Sequence, residues 1–274
     1  DHPQHNMAAQ SLYNAAFGAL ELGRYDEGLK HAADFLKKHP GHRLAPDVQY
    51  VAAECHLQRG EHADAEKLYA ELAKSSPDHP DRETWQVRQG LAIYLQKKYS
   101  DAVAALEPTV AQLKTPDNQA QAQFVLGVSR FYLDQFDGAV AALQAALKAS
   151  PKWKQADETL LYLARALRRQ DKTVEAIAAI SQLIADWPQS RLLDQAHYRY
   201  GEFAYAAGDY KTALAQYDAV AATAADSPFV PYALYGKAWA QLKTKAYPEA
   251  TETLNALVKS HPQHALIADA PESD

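Results

Sequence analysis

Gly208-Asp209-Tyr210-Lys211-Thr212-Ala213 and Gly23-Arg24-Tyr25-Asp26-Glu27-Gly28 share one pattern: glycine, a polar residue, tyrosine, two further residues, then a small one. A step of 37 residues links the two and everything between them: Tyr25, His62, Tyr99, Phe136, Thr173, Tyr210 and Tyr247. Five of these seven are aromatic. Three residues beyond each lies a small one: Gly28, Ala65, Ala102, Ala139, Ala176, Ala213 or Ala250. Nine residues before each lies another: Ala16, Ala53, Gly90, Gly127, Ala164, Gly201 or Ala238. Three frames hold one period without an insertion. A single globular core has no need of that regularity, whereas a repeat array does, because every unit must present the same face to its neighbour.

Each unit reads as two helices. In the sixth, the first helix is predicted over roughly 193–207, stops at Gly208, and gives way to a second after Asp209-Tyr210. Glycine at the break supplies the positive φ that helix ends adopt, and Gly23 and Gly60 serve the same purpose earlier. Apolar residues keep helical spacing, as in Tyr198, Gly201 and Tyr205, then Ala213, Leu214, Tyr217 and Val220. Small residues let the two axes approach, with the aromatic wedged into the corner. Second helices stop at Pro40, Pro77, Pro151, Pro188 and Pro262, since proline biases the residue before it away from helix. Lys114 and Ala225 hold that frame in the other gaps, with Pro116 and Pro228 just downstream. Pro108 falls inside a second helix and is expected to bend the third unit.

The pattern of a small residue, then G-x-Y-x-x-A, then a terminal proline resembles the tetratricopeptide (TPR) repeat over about residues 8–262. The period exceeds the family's usual 34. The three extra residues follow the proline, as in His39-Pro40-Gly41-His42-Arg43-Leu44-Ala45-Pro46. That longer joint resembles the envelope TPR proteins of Gram-negative bacteria, of the Tol-Pal-associated coordinator and outer-membrane assembly lipoprotein types. The resemblance implies an all-α, right-handed superhelical solenoid of about seven helix-turn-helix repeats, with first helices lining a concave face. The units fall at about 8–45, 46–82, 83–119, 120–156, 157–193, 194–230 and 231–262. Residues 1–7 read as an N-terminal extension and 263–274 as an incomplete eighth repeat or flexible tail. Arrays need capping units, so the parent protein is expected to continue there, or that end to pack on something.

Composition narrows the function classes. Of 274 residues, 47% are hydrophobic and 23% charged, as in ordinary folded proteins. A net charge of −6 leaves no electrostatic footprint for nucleic acid. One cysteine, Cys55, excludes an internal disulfide framework or a thiolate cluster, and its small-residue surroundings predict a buried, inert thiol. No stretch approaches the ~18 consecutive apolar residues of a spanning helix. The chain begins at Asp1 with its single methionine at Met7 and shows no signal peptide, so processing or excision from a longer protein is expected. The compartment read from the envelope resemblance is the periplasm or cell envelope, with the cytoplasm as alternative.

Candidate site residues come from two columns of the first helices. One holds Tyr13, Tyr50, Val87, Phe124, Leu161, Tyr198 and Tyr235; the other Leu20, Leu57, Tyr94, Phe131, Arg168, Tyr205 and Leu242. Two readings stand: an aromatic ladder for a peptide, or packing between successive helices, the commoner use of such a stripe. Arg168 breaks an apolar column, with Arg165 a turn before it and Arg169 beside it. These arginines either grip a partner's carboxylate or phosphate or pair with Glu202, which holds Arg165's frame on the next first helix. Arg165, Arg168, Arg169, Tyr198 and Tyr205 are the leading partner-binding candidates, with Tyr94, Phe131 and Tyr132 as adjoining wall. The peptide-carboxylate clamp of some TPR domains uses lysines and asparagines that are absent from the matching positions.

Eleven histidines raise the question of metal. His39 and His42 recur in frame as His261 and His264, too far apart along an array to converge on one ion, and His2, His5 and His31 are scattered. No metal and no cofactor is expected. Nucleophile elbows, phosphate loops, H-E-x-x-H and C-x-x-C are missing, and Gly127-Val128-Ser129-Arg130 falls within a helix. The reading is a non-catalytic scaffold or adaptor that binds a protein or peptide around the fourth to sixth units. The alternatives are a targeting or regulatory arm of a longer enzyme or receptor, and a tyrosine-lined groove for a small molecule or glycan fragment.

Overall fold

The computed structural model describes residues 3–262, 264 and 265, which form α-helices, one 3-10 turn and no strand. The chain divides into two compact units, Asp1–Pro151 and Lys152–Asp274. The first contains α1 (Pro3–Glu21), α2 (Tyr25–Lys38), α3 (Ala45–Gln58), α4 (His62–Ser75), α5 (Arg82–Leu95), α6 (Tyr99–Leu106), the 3-10 turn Val110–Gln112, α7 (Pro116–Tyr132) and α8 (Phe136–Ala149). The second contains α9 (Ala156–Arg169), α10 (Thr173–Asp186), α11 (Leu193–Ala206), α12 (Tyr210–Thr223), α13 (Val230–Lys243) and α14 (Tyr247–Ser260). Within each unit successive helices pack side by side, pair after pair, as an all-α solenoid does.

The 37-residue frames have a direct physical meaning. Every second helix opens on the predominantly aromatic column, from Tyr25 to Tyr247. In that corner Tyr210 meets Tyr205 at 5.4 Å between ring centroids, and Phe136 meets Phe131 at 5.8 Å. The small column after it is buried without exception, Gly28 and Ala65 through Ala250. The small column before it lets the helices of a pair touch. A Cβ on Gly201 would stand 2.6 Å from the Tyr217 ring, so only glycine fits beneath that aromatic. Cys55 is fully buried, and burial followed by the Glu54 charge pushes its thiol up to about 11.

Gly23, Gly60 and Gly208 have φ of +70°, +79° and +80°. The same frame elsewhere holds Lys97, Asp134, Asp171 and Lys245, which adopt positive φ as well, between 57° and 63°. The turn is therefore imposed by packing of the pair, and lysine is forced into a region it ordinarily avoids.

The longer joints are also built. His42 Nδ1 accepts the Leu44 N–H at 3.2 Å and His79 Nδ1 that of Asp81 at 3.1 Å. In the same frame Ser190 Oγ accepts the Leu192 N–H and Ser227 Oγ that of Phe229, both at 3.1 Å. Each side chain closes a local turn, which accounts for the recurrence of histidine there. Each serine also donates to an aspartate of the preceding first helix, Ser190 to Asp157 and Ser227 to Asp194, both at 2.5 Å.

Two expectations change. Pro108 does not bend the second helix of the third unit but ends it: α6 stops at Leu106, and the chain turns through Thr109, whose N–H donates to Leu106 O at 3.0 Å. Residues 3–7, read as an extension, belong to α1. The eighth first helix expected over 264–270 lies outside the described residues apart from His264 and Ala265, as do Asp1 and His2.

Candidate functional site

In the second unit α11 and α13 run side by side with α12 behind them, and their first-helix face opens into a groove of about 520 Å3. Tyr198, Glu202 and Tyr205 come from α11, Tyr217 from α12, and Tyr232, Tyr235, Gly236 and Trp239 from α13. The spacing along α11 and α13 is helical, so each helix sets one aromatic wall. Tyr217 reaches the groove from behind through two glycines. A Cβ on Gly236 would meet its ring at 2.6 Å, just as one on Gly201 would. Tyr232 and Trp239 are the outer rim, 42% and 39% exposed.

One carboxylate lies among these rings. Glu202 Oε1 accepts the Tyr198 hydroxyl at 3.0 Å, and Oε2 accepts Arg199 Nη1 at 2.6 Å. Arg199 lies 5.2 Å from the Tyr198 ring centroid, and its buried Nε has no hydrogen-bond partner. Burial, and after it the Glu202 charge, hold the Tyr198 and Tyr217 hydroxyls above the usual tyrosine range. Both therefore stay neutral at ordinary pH.

The residues singled out from sequence are distributed differently. Tyr198 and Tyr205 line the groove. Arg165, Arg168 and Arg169 lie on α9, outside its lining: Arg165 stands over the Tyr162 ring at 4.9 Å, Arg168 pairs with Asp171 at 3.0 Å, and Arg169 is exposed. Glu202, the carboxylate considered for Arg165 and Arg168, is taken by Arg199, one turn away on the same helix. Tyr94, Phe131 and Tyr132 belong to the first unit. Tyr94 packs near Tyr99 and Phe124, Phe131 is buried against Phe136, and Tyr132 stacks on Tyr99 at 4.7 Å. The two aromatic columns thus serve different ends along the chain. Val87, Phe124 and Leu161 are core, whereas Tyr198 and Tyr235 are only half-buried and face the groove.

Glu202, Tyr217, Tyr232, Gly236 and Trp239 were not picked out from sequence as site residues. Glu202 and Trp239 share the column of Arg165, and the groove exists because three successive helices deviate together.

A related cluster in the first unit is closed. Tyr50 and Glu54 lie on α3, Tyr69 on α4 and Arg88 on α5. Glu54, 7% exposed, accepts Arg88 Nε at 2.7 Å on Oε1 and Arg88 Nη2 on Oε2. The Tyr69 hydroxyl donates to Oε1 at 2.5 Å. Burial, followed by Glu54, pushes the Tyr50 hydroxyl up to about 12. Burial works against the Arg88 charge, but the Glu54 carboxylate outweighs it and raises the guanidinium above its ordinary value.

Two further groups bring histidine and carboxylate atoms within 4.8 Å of one another: Asp47, His79 and Asp81, and His56, Glu61 and Asp64. Both are accounted for by local contacts. His79 closes its own turn and stacks on Trp85 at 4.4 Å, while Glu61 takes His56 at 2.6 Å and Arg59 at 2.8 Å. Of these histidines His79 shares the frame of His42, and His56 does not.

With this geometry in place, comparison with known proteins gives the family. The tetratricopeptide repeat model matches residues 13–80, 88–152, 124–191 and 201–265, and the chain belongs to that family. The apo form of RapI superposes with a TM-score of 0.72 at 13% identity, over 94% of this chain and 77% of that one. The C-terminal part of a TPR repeat-containing protein from Cytophaga hutchinsonii gives 0.70 at 12% identity, over 95% and 100%. Pseudomonas aeruginosa pilF gives 0.65 at 16% identity, over 83% and 96%. Such low identities show the fold alone. No curated protein sequence matches significantly.

Proposed function

We propose that the chain is a non-catalytic interaction scaffold that holds a peptide segment of a partner protein in the groove of α11, α12 and α13. The observation that supports this is the groove itself: six aromatic side chains and one carboxylate, presented by three successive helices of a TPR array. Tyrosine and tryptophan offer large contact area at low entropic cost, with polar tips for backbone groups. The site of action is proposed to be the bacterial cell envelope, a reading supported by the long joints after the repeat prolines. Among the described residues no helix is long and apolar enough to cross a membrane.

Selection of displayed peptides on the folded protein tests the reading. The expected outcome is a set of peptides with micromolar affinity that lose at least about tenfold on Trp239→Ala or Tyr232→Ala. Both residues are on the rim, so helicity and melting should not change. Failure to select any peptide, or binding undiminished by either substitution, overturns the proposal. The same tyrosines suit stacking of a glycan fragment, and a thermal-shift screen of cell-wall fragments against peptide pools separates the two occupants.

A further inference from the structure

The open groove and the closed cluster occupy the same positions of the repeat, four periods apart. Tyr50 corresponds to Tyr198, Glu54 to Glu202, Tyr69 to Tyr217 and Arg88 to Gly236. The shared geometry is local as well as sequential: the Tyr50 and Tyr69 rings lie 6.2 Å apart at 54°, and the Tyr198 and Tyr217 rings 6.4 Å apart at 42°. In the first unit a guanidinium lies bidentate on the carboxylate and fills the space. In the second the residue in its place is glycine; the Tyr217 ring takes the place of the arginine stem, and the groove opens beyond it. The neighbours of Gly236 are also altered. Thr84, Val87 and Leu91 around Arg88 become Tyr232, Tyr235 and Trp239, which add π faces where the guanidinium would lie.

We propose that the groove receives an arginine side chain of the partner segment, its guanidinium taking beside Glu202 the place that Arg88 takes beside Glu54. Charge complementarity commits the occupant. Glu202 is the one charged residue among the eight that line the groove. A carboxylate has about four lone-pair sites, and Tyr198 and Arg199 use one each. The other nearby cation, Lys237, is held by Asp218 at 2.6 Å. A planar guanidinium suits this setting better than an ammonium, because it pairs bidentately with a carboxylate and stacks on Tyr and Trp faces. The Glu202 charge, which after burial raises the hydroxyls of Tyr198 and Tyr217 and is offset only in part at Tyr198 by Arg199, favours a cation over an anion.

This assignment rests on the peptide-binding reading above and specifies its occupant. The test is a titration of N-acetyl-arginine amide, and of its uncharged citrulline analogue, followed by NMR at the Trp239 indole N–H. Arginine amide should saturate in the millimolar range, with citrulline weaker by at least about tenfold. Glu202→Gln, a change at a half-exposed position, should reduce arginine binding by about tenfold. Gly236→Arg should abolish it by filling the groove from within. Equal binding of arginine and citrulline, absence of saturable binding, or undiminished binding by Glu202→Gln overturns the assignment. In each of those cases, peptides from the display selection that still need Trp239 leave the scaffold reading standing, so the two fail separately.

Discussion

The Glu54 cluster of the first unit and the Glu202 groove of the second start from the same repeat positions and end as opposites. In the first, two tyrosines and an arginine close over a buried carboxylate, and the site is part of the core. In the second, loss of the arginine side chain and gain of three aromatics leave a recess with a half-exposed carboxylate. The repeat fold tolerates both because the two regions share the buried small column at the helix corners, Ala65 in one and Ala213 in the other. A position freed from packing in one unit is free to acquire another use. Difference from the frame, rather than adherence to it, marks the candidate site.

The contrast has measurable consequences, the largest being at Arg88. Arg88→Ala strands Glu54 in the core and should cost about 3–5 kcal/mol by urea unfolding, whereas Glu202→Gln should stay within about 1 kcal/mol because water already reaches that carboxylate. Similar losses in both would mean that the groove is a closed structural site after all. Next come the paired tyrosines. Tyr69→Phe removes a hydrogen bond to a buried carboxylate, worth about 1.5–3 kcal/mol, and Tyr217→Phe should be within about 0.5 kcal/mol.

The helix pairs, the starts of second helices at Tyr25 to Tyr247 and the positive φ at Gly23, Gly60 and Gly208 follow from the period, because corner packing constrains backbone and side chain alike. Pro108 is expected from sequence to bend the second helix of the third unit, but that helix ends at Leu106, where the chain turns. Arg168, a charge in an apolar column, lies near the end of α9 and pairs with Asp171. Glu202 and Gly236 do not stand out in the sequence, since a glutamate and a glycine on a helix are individually ordinary. Aligning each against Glu54 and Arg88 exposes them, but the meaning of that alignment needs the Arg88 to Glu54 contact, which only the structure supplies.

Smaller effects refine the contrast. Gly201→Ala and Gly236→Ala both press on the Tyr217 ring. The first lies within the helix pair and should cost about 1–3 kcal/mol by thermal unfolding. The second should cost less than about 1 kcal/mol, as the ring edge can withdraw into the open groove. The smallest prediction concerns what the two regions share. Lys97→Gly in the first unit and Lys245→Gly in the second should each stabilise by about 0.5–1 kcal/mol, by relieving the same left-handed turn. A gain in one unit only would show that the turn is not set by the common frame.

A crystal structure of the Gly236→Arg variant tests the correspondence between the two regions. The introduced guanidinium should lie across the groove with both Glu202 oxygens within hydrogen-bond distance, and with the Tyr217 ring withdrawn, reproducing Arg88 on Glu54. An arginine extended into solvent, with the Glu202 to Arg199 pair and the open groove unchanged, would contradict it.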